Sequence, residues 1–296
     1  NVEYHYFAGY SGGAKAIMPG VSSLRAIRIN HSNMLDKNAA TGRLDANPVR
    51  CDIDEIGKFI KIDFIFNVVL DEHKNIAAAF CGDYIKAHRA ACASLDVKYK
   101  AAISGQADVV LVSSGGFPKD INLYQAQKAL DNAKYAVKDG GTIILCASAK
   151  EGFGSAVFEQ WMLGKTPREM LTEIRENFVL GGHKAADIAA ITQLHGVRIF
   201  LVSDLDKTVV EKMSFEHFAS LQQACDAAVS AAGPAAKIIV MPYGGSTLPV
   251  PAKYGNNRAA IRSGPVPNKK QTMGEDEYYG LRKRIAEAPR TVEGQD

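Results

Sequence analysis

The chain has 296 residues, of which 47% are hydrophobic and 23% charged, the balance of an ordinary folded protein long enough for more than one core. Residues 251–296 hold nine Lys or Arg against six Asp or Glu, which accounts for the whole net charge of +3; the remainder balances at 26 against 26 (35 less 9, 32 less 6). A neutral body lacks the electrostatic footprint of a nucleic-acid binder. No apolar run of about 18 residues is present to cross a membrane, and no secretory leader pattern opens the residues given. Cys51, Cys81, Cys92, Cys146 and Cys225 are scattered, odd in number and without C-x-x-C spacing. Reduced thiols in a cytoplasmic protein are therefore expected, and thiolate ligation of a metal is not.

The densest signal comes first in the chain. From His5 to Gly20 there are four glycines and a proline in sixteen positions, with Lys15 in their midst and His31 beyond. That composition describes a tight loop whose bare backbone can approach a ligand closely. A lysine flanked by loop glycines is either a solvated surface charge or an amine held within reach of a small molecule. Two imidazoles bracketing it, His5 and His31, add metal ligands or general bases. Two phosphate-binding signatures are excluded. Ala14 and Ala16 flank Lys15 where a P-loop needs Gly before and Ser or Thr after, and Gly9, Gly12 and Gly13 lack the spacing of a dinucleotide fingerprint.

Further along, residues 22–34 predict a helix capped by Ser22 or Ser23, with His31 near its end and its ring towards the loop. A turn-rich connection over 41–52 and a short helix to about Ile60 follow. Strands are predicted over 64–70 and 75–80, then a long helix over 83–103. From Ala107 the pattern becomes a regular alternation: strands at 109–112, 142–146, 197–202 and 237–241, and helices at 122–137, 157–163, 166–178, 184–194 and 215–232. Such alternation implies right-handed βαβ units around a parallel sheet, with ligands beyond the carboxyl ends of the strands. The expected architecture is α/β in two domains, 1–103 and 104–250, with a cleft between them. Residues 251–296 are expected to be a polar, disordered extension with one short helix over Glu277–Ala288.

The run from His5 to Gly20, followed by Asn30-His31, resembles the core of the nickel-dependent lactate racemase family. Matching stretches continue in order: Asn47-Pro48-Val49-Arg50, Phe80-Cys81-Gly82-Asp83, Gly115-Gly116-Phe117-Pro118, Asn122-Leu123-Tyr124-Gln125 with Lys128, Gly181-Gly182-His183-Lys184, and Pro242 to Pro249. The resemblance implies a 2-hydroxy acid racemase or epimerase using a nickel pincer nucleotide, a nicotinate-derived mononucleotide tied to Lys15 as a thioamide. Cofactor-maturation proteins would be partners. In that family a further N-terminal region precedes this loop, so the expectation is either a fragment or a copy lacking that region.

By the same resemblance His31 ligates nickel, Gly12 and Gly13 belong to the cofactor-binding loop, and Gln125 and Lys128 reach the substrate. His5 is the proton-transfer residue, and a second base is expected upstream. An imidazole with a pKa near ~6.5 suits proton exchange at neutral pH. His183 and Lys184 are read as equally able to serve as structural caps. Ala185 and Ala186 stand where the family often has an aromatic, which suggests a roomier pocket. His73, His88, His195 and His217 are read as structural. Two other classes stay open: a non-catalytic homologue or binding subunit that keeps the loop, and a Schiff-base enzyme using Lys15.

Overall fold

The computed structural model describes residues 1–251; apart from Pro251, the extension predicted for 251–296 and its helix over Glu277–Ala288 lie outside the described residues. The chain starts with a minimal antiparallel hairpin, β1 (Tyr4–His5) and β2 (Gly9–Tyr10), pairing Tyr4 with Tyr10 and His5 with Gly9. A 3-10 turn over Gly13–Ala16 leads to α1 (Leu24–Ser32), whose N-cap Ser23 accepts from the Ala26 N–H. Asn47 caps α2 (Pro48–Asp54), with Pro48 in the first turn where its missing N–H costs nothing. β3 (Ile65–Leu70) and β4 (Ile76–Gly82) form an antiparallel pair, and α3 (Tyr84–Tyr99), capped by Asp83, packs across both.

The following residues depart from expectation. The long helix stops at Tyr99, and Lys100–Ile103 is instead a strand, β5. It pairs in parallel with β11 (Leu248–Pro251), some 150 positions away in sequence, a contact that no local pattern announces.

The largest sheet is five-stranded and wholly parallel. Its strands are β6 (Ala107–Ser113), β7 (Val137–Cys146), β8 (Arg198–Val202), β9 (Glu216–His217) and β10 (Ile238–Met241), in the spatial order β10-β6-β7-β8-β9. The crossovers are α4 (Leu123–Ala133), α5 (Ala156–Gly164), α6 (Pro167–Glu176), α7 (Gly182–His195), α8 (Lys207–Lys212) and α9 (Leu221–Ala232). Alternate residues face opposite layers, as strand geometry requires. Val110, Val112, Ile143, Leu145, Ile199 and Leu201 pack towards α4, α5 and α7, whereas Val109, Ile144 and Phe200 pack on Ala224 and Ala228 of α9. Burial on both faces explains the nearly continuous apolar runs. The helix predicted from residue 215 begins at Leu221, capped by Ser220, because Glu216–His217 serves as the edge strand. α8 was not foreseen.

Candidate active site

Side chains from several elements hold the loop by its backbone. Asn47 donates to the Phe7 carbonyl at 2.8 Å, and Arg50 donates to the Ala8 and Tyr10 carbonyls. The Gly13 N–H donates to Asn67 Oδ1 at 2.9 Å, and His88 Nε2 lies 2.9 Å from the Ser11 carbonyl. Arg89 approaches His88 Nδ1 at 2.9 Å and pairs with Asp54 at 2.5 Å, so the His88 ring carries its proton on Nε2 and donates to the loop. The glycines serve this packing. Gly12 and Gly13 have φ of 78° and 62°, and a Cβ would meet Asn67 Oδ1 at 2.9 Å from the first and the His88 ring at 2.9 Å from the second. The face of each glycine where a Cβ would sit is thus turned against the protein's own side chains.

This clamp seats the Lys15 turn on α2 and α3, and His5 reaches His31 of α1 through Phe7. The His5 ring stands edge-on to Phe7 at 4.5 Å, and Phe7 stands edge-on to His31 at 4.9 Å. His183, in the first turn of α7, joins the same group: its ring lies 6.2 Å from Phe7, 6.3 Å from Tyr6, 6.5 Å from His31 and 5.6 Å from Phe178. The neighbouring Lys184 ammonium donates to the Tyr124 carbonyl at 2.5 Å, 3.9 Å above the Tyr124 ring and 5.4 Å from that of Tyr6. Gln125 and Lys128 share one face of α4, where Lys128 donates to Gln125 Oε1 at 2.9 Å.

The lysines here are crowded and make no ion pair among the described residues; Asp187 and Asp131 act on Lys184, and Glu3 on Lys128, only from beyond pairing distance. Burial, with Arg50 and Lys128 nearby, pulls the Lys15 amine down to about 8. Lys15 has no hydrogen-bond or ion-pair partner among the described residues. Burial and the Lys15 charge pull His31 down to about 4; the Ile27 backbone opposes this, but His31 Nδ1 is buried without a partner at hydrogen-bond geometry. His5 is held well below the usual imidazole range by burial, then by Lys15, Lys128, His31 and Lys184. Burial takes His183 to about 3 and Lys184 to about 7. The pocket thus offers neutral imidazoles and lysines lacking carboxylate partners, which suits a small anion.

All seven residues singled out from the sequence lie in or under this one region. Lys15, His31, His5 and Lys128 feel one another's charge, Gln125 is bonded to Lys128, and Gly12 and Gly13 belong to the clamp. The sequence left His183 and Lys184 between a site role and structural capping, although the Gly181-Gly182 pair before them marked a special helix entry. It read His88 as structural and gave no role to Arg50 and Asn67, which act through backbone contacts that have no motif of their own. Ala185 and Ala186 are buried in the core beneath the large sheet, so they open no extra space at the site.

A model of the lactate racemase C-terminal domain matches residues 103–248, and one of the lactate racemase N-terminal domain matches residues 1–42. The lactate racemase of Lactiplantibacillus plantarum is 34% identical over 250 residues, covering 82% of this chain and 58% of that protein. That of Thermoanaerobacterium thermosaccharolyticum is 34% identical over 255 residues, covering 83% and 59%. The solved lactate racemase apoprotein of the latter organism superposes with a TM-score of 0.79 at 32% identity, over 84% of this chain and 61% of that one. A Thermotoga maritima protein shares the fold, with a TM-score of 0.60 at 17% identity over 84% and 64%. The chain therefore spans under two thirds of the length of these relatives. With both domain models matched in order and a third of residues identical along most of its length, the chain belongs to the lactate racemase family.

Proposed function

We propose that the chain racemises or epimerises a lactate-like 2-hydroxy acid by proton-coupled hydride transfer, with a nickel pincer nucleotide tethered to Lys15. The observation that supports this reading best is the Lys15 amine, unpartnered among the described residues and lowered to about 8, in a setting shared with His5, His31 and Lys128. At pH 7 a pKa of about 8 leaves roughly a tenth of the amine unprotonated and open to acylation, whereas an ordinary lysine is almost wholly charged. Cofactor-maturation proteins would supply the activated group.

The residues fit such a group. His31 stays neutral down to about pH 4, which leaves an imidazole lone pair for nickel, and its Nδ1 is an orphaned buried atom. No cluster of three or more His, Cys, Asp or Glu is placed to hold an ion among the described residues. A metal held by His31 would therefore take its other donors from the cofactor. When bound, the group supplies the acceptor for the substrate's C2 hydride.

The remaining chemistry falls to the chain. Lys128, steadied by Gln125, faces the region as a cation for the substrate carboxylate. His5 is the proton carrier. Its Nδ1 accepts from the Ala8 N–H at 3.3 Å, so the neutral ring carries its proton on Nε2. To take a hydroxyl proton at Nε2, the ring must give up that long contact and hold its own proton on Nδ1. Burial first, and then the nearby cations, keep the ring neutral and so available as a base.

Co-expression with a maturation system followed by intact mass, metal analysis and a chiral assay of the hydroxy acid tests this reading. The expected result is one nucleotide mass on Lys15, nickel, and interconversion of the enantiomers of lactate or a close analogue. His5→Ala should keep the mass and nickel while slowing racemisation by ~10² to 10⁴, the usual worth of a general base. An unmodified chain without racemisation would support a binding subunit instead. A mass lost in acid but trapped by borohydride would indicate a Schiff base.

A further inference from the structure

We infer that His183 is a fixed hydrogen-bond donor to an oxygen of the bound 2-hydroxy acid and does not serve as the second proton-transfer base. The identity of that ligand rests on the racemase reading above; the donor role rests on the following geometry.

His183 is 3% exposed, and its Nδ1 accepts from the Gly181 N–H at 2.9 Å. A ring nitrogen that accepts has no proton, so the neutral imidazole carries its proton on Nε2. Gly181 has a φ of 97°, and a Cβ there would come within 3.1 Å of Val157 Cβ, so the amide that sets the tautomer is itself held in place. The ring is parallel to that of Tyr6 and flanked by Phe178, which restrains it from turning over. His5 differs: its Nδ1 contact is 3.3 Å long, and it sits in a two-residue hairpin strand.

The Val179 carbonyl lies beside the ring, but no bond from the ring to it meets hydrogen-bond geometry, and the Nε2–H makes no hydrogen bond to a described residue. Unlike His31 Nδ1, this Nε2 is not sealed from solvent. A role as helix cap would be complete with Nδ1 alone. The ring belongs to the aromatic and imidazole group formed with Phe7 and His31, next in sequence to Lys184. An N–H that reaches solvent there can exchange a water for a ligand oxygen. A 2-hydroxy acid brings a hydroxyl or ketone oxygen and a carboxylate, all acceptors. With Nδ1 committed to Gly181, the ring has no lone pair free to take a proton. It can orient the substrate but cannot deprotonate it.

The test uses the full 296-residue chain labelled with ¹⁵N-histidine, with the His183 signals assigned by their loss in His183→Gln. Long-range ¹H–¹⁵N correlation should show an Nε2–H tautomer whose proton moves downfield on titration with sodium lactate. In the cofactor-loaded protein, His183→Phe should raise KM about tenfold, the worth of one hydrogen bond, with little change in kcat. His183→Gln, which keeps an N–H near the Nε2 position, should restore most of the KM. An Nδ1–H tautomer, an unmoved Nε2–H signal, or a loss in kcat at unchanged KM would each overturn the assignment. If lactate shifts the Nε2–H signal while the loaded protein interconverts no lactate enantiomers, the racemase reading falls and the donor site stands.

Discussion

Two lysines in neighbouring parts of the molecule, one half-buried and one buried, show opposite behaviour. Lys134, at the end of α4, is paired with Asp131, which is fully buried, and the pairing outweighs desolvation so that its pKa rises. Lys184, on α7, bonds a carbonyl and lies over two aromatic rings, with Asp187 and Asp131 near but not ion-paired to it, and burial lowers it to about 7. Lys15 behaves like Lys184. The region at the end of α4 neutralises its charges internally, whereas the region around the loop leaves cations unpaired. A protein bears that cost where a ligand is to supply the missing negative charge.

The sharpest way to break this contrast is at Lys15. Lys15→Arg keeps a cation but installs a group with a pKa above ~12 that cannot serve as an amine nucleophile. Added nucleotide mass and racemase activity should both vanish, while the circular dichroism spectrum stays that of the parent chain. Retention of the added mass would mean that the tether is elsewhere.

On the balanced side, Asp131→Asn should be costly for stability alone. It leaves Lys134 without its carboxylate and removes an acceptor of Thr41 Oγ1, which lies 3.3 Å away. Breaking a buried pair from one side costs about 3 kcal/mol, at the low end of the usual span because Lys134 is 31% exposed. Urea unfolding should show the midpoint fall with no loss of cofactor mass on Lys15.

A pH dependence of stability follows from the loop region. His88 is lowered to about 4 and His183 to about 3, so between pH 6.5 and those values the unfolded chain binds protons that the folded chain refuses. Stability should therefore be complete above pH 6.5 and fall as the pH drops towards 4. Each group contributes at most about 1.4 kcal/mol per pH unit. His88→Asn should flatten that slope by roughly one proton's share in urea unfolding at pH 5; an unchanged slope would mean that His88 titrates freely in the folded chain.

The same contrast governs what was legible beforehand. Strands β6 and β8 declared themselves because each buries both faces and reads as an apolar run; β10 reads as one too, although it is an edge strand with Ile238 and Val240 exposed. The first half of β7 did not, since Asp139-Gly140-Gly141 has the composition of a turn, yet Val137 pairs with Ala107 across an irregular register. β5 and β11 were illegible for another reason: each is stabilised by the other, and β11 contains Pro249 and Pro251, which sequence patterns place at edges or outside strands altogether. At the site, Lys15 and the glycines stood out by local composition. The clamp of Asn47, Arg50, Asn67 and His88 comes from four separate places, and each looks like an ordinary polar residue until the loop is seen resting on it.

That clamp permits a matched pair of small perturbations, one in each region. Thr166 caps α6 in a reciprocal box with Glu169, on the exposed side of the balanced region. Thr166→Ala should cost about 1 kcal/mol. Asn67→Ala removes the Oδ1 that accepts the Gly13 N–H at 2.9 Å, also for about 1 kcal/mol. Equal losses in thermal unfolding are thus expected, but the consequences at Lys15 should differ. Gly13 opens the 3-10 turn that carries Lys15, so freeing its N–H lets the amine wander from the imidazoles it is packed with. Cofactor loading, followed as the rate at which the added mass appears, should slow for Asn67→Ala and remain at the parent rate for Thr166→Ala. If the two variants load alike, the side chains beneath the loop serve stability only, and the position of the amine is set by the turn itself.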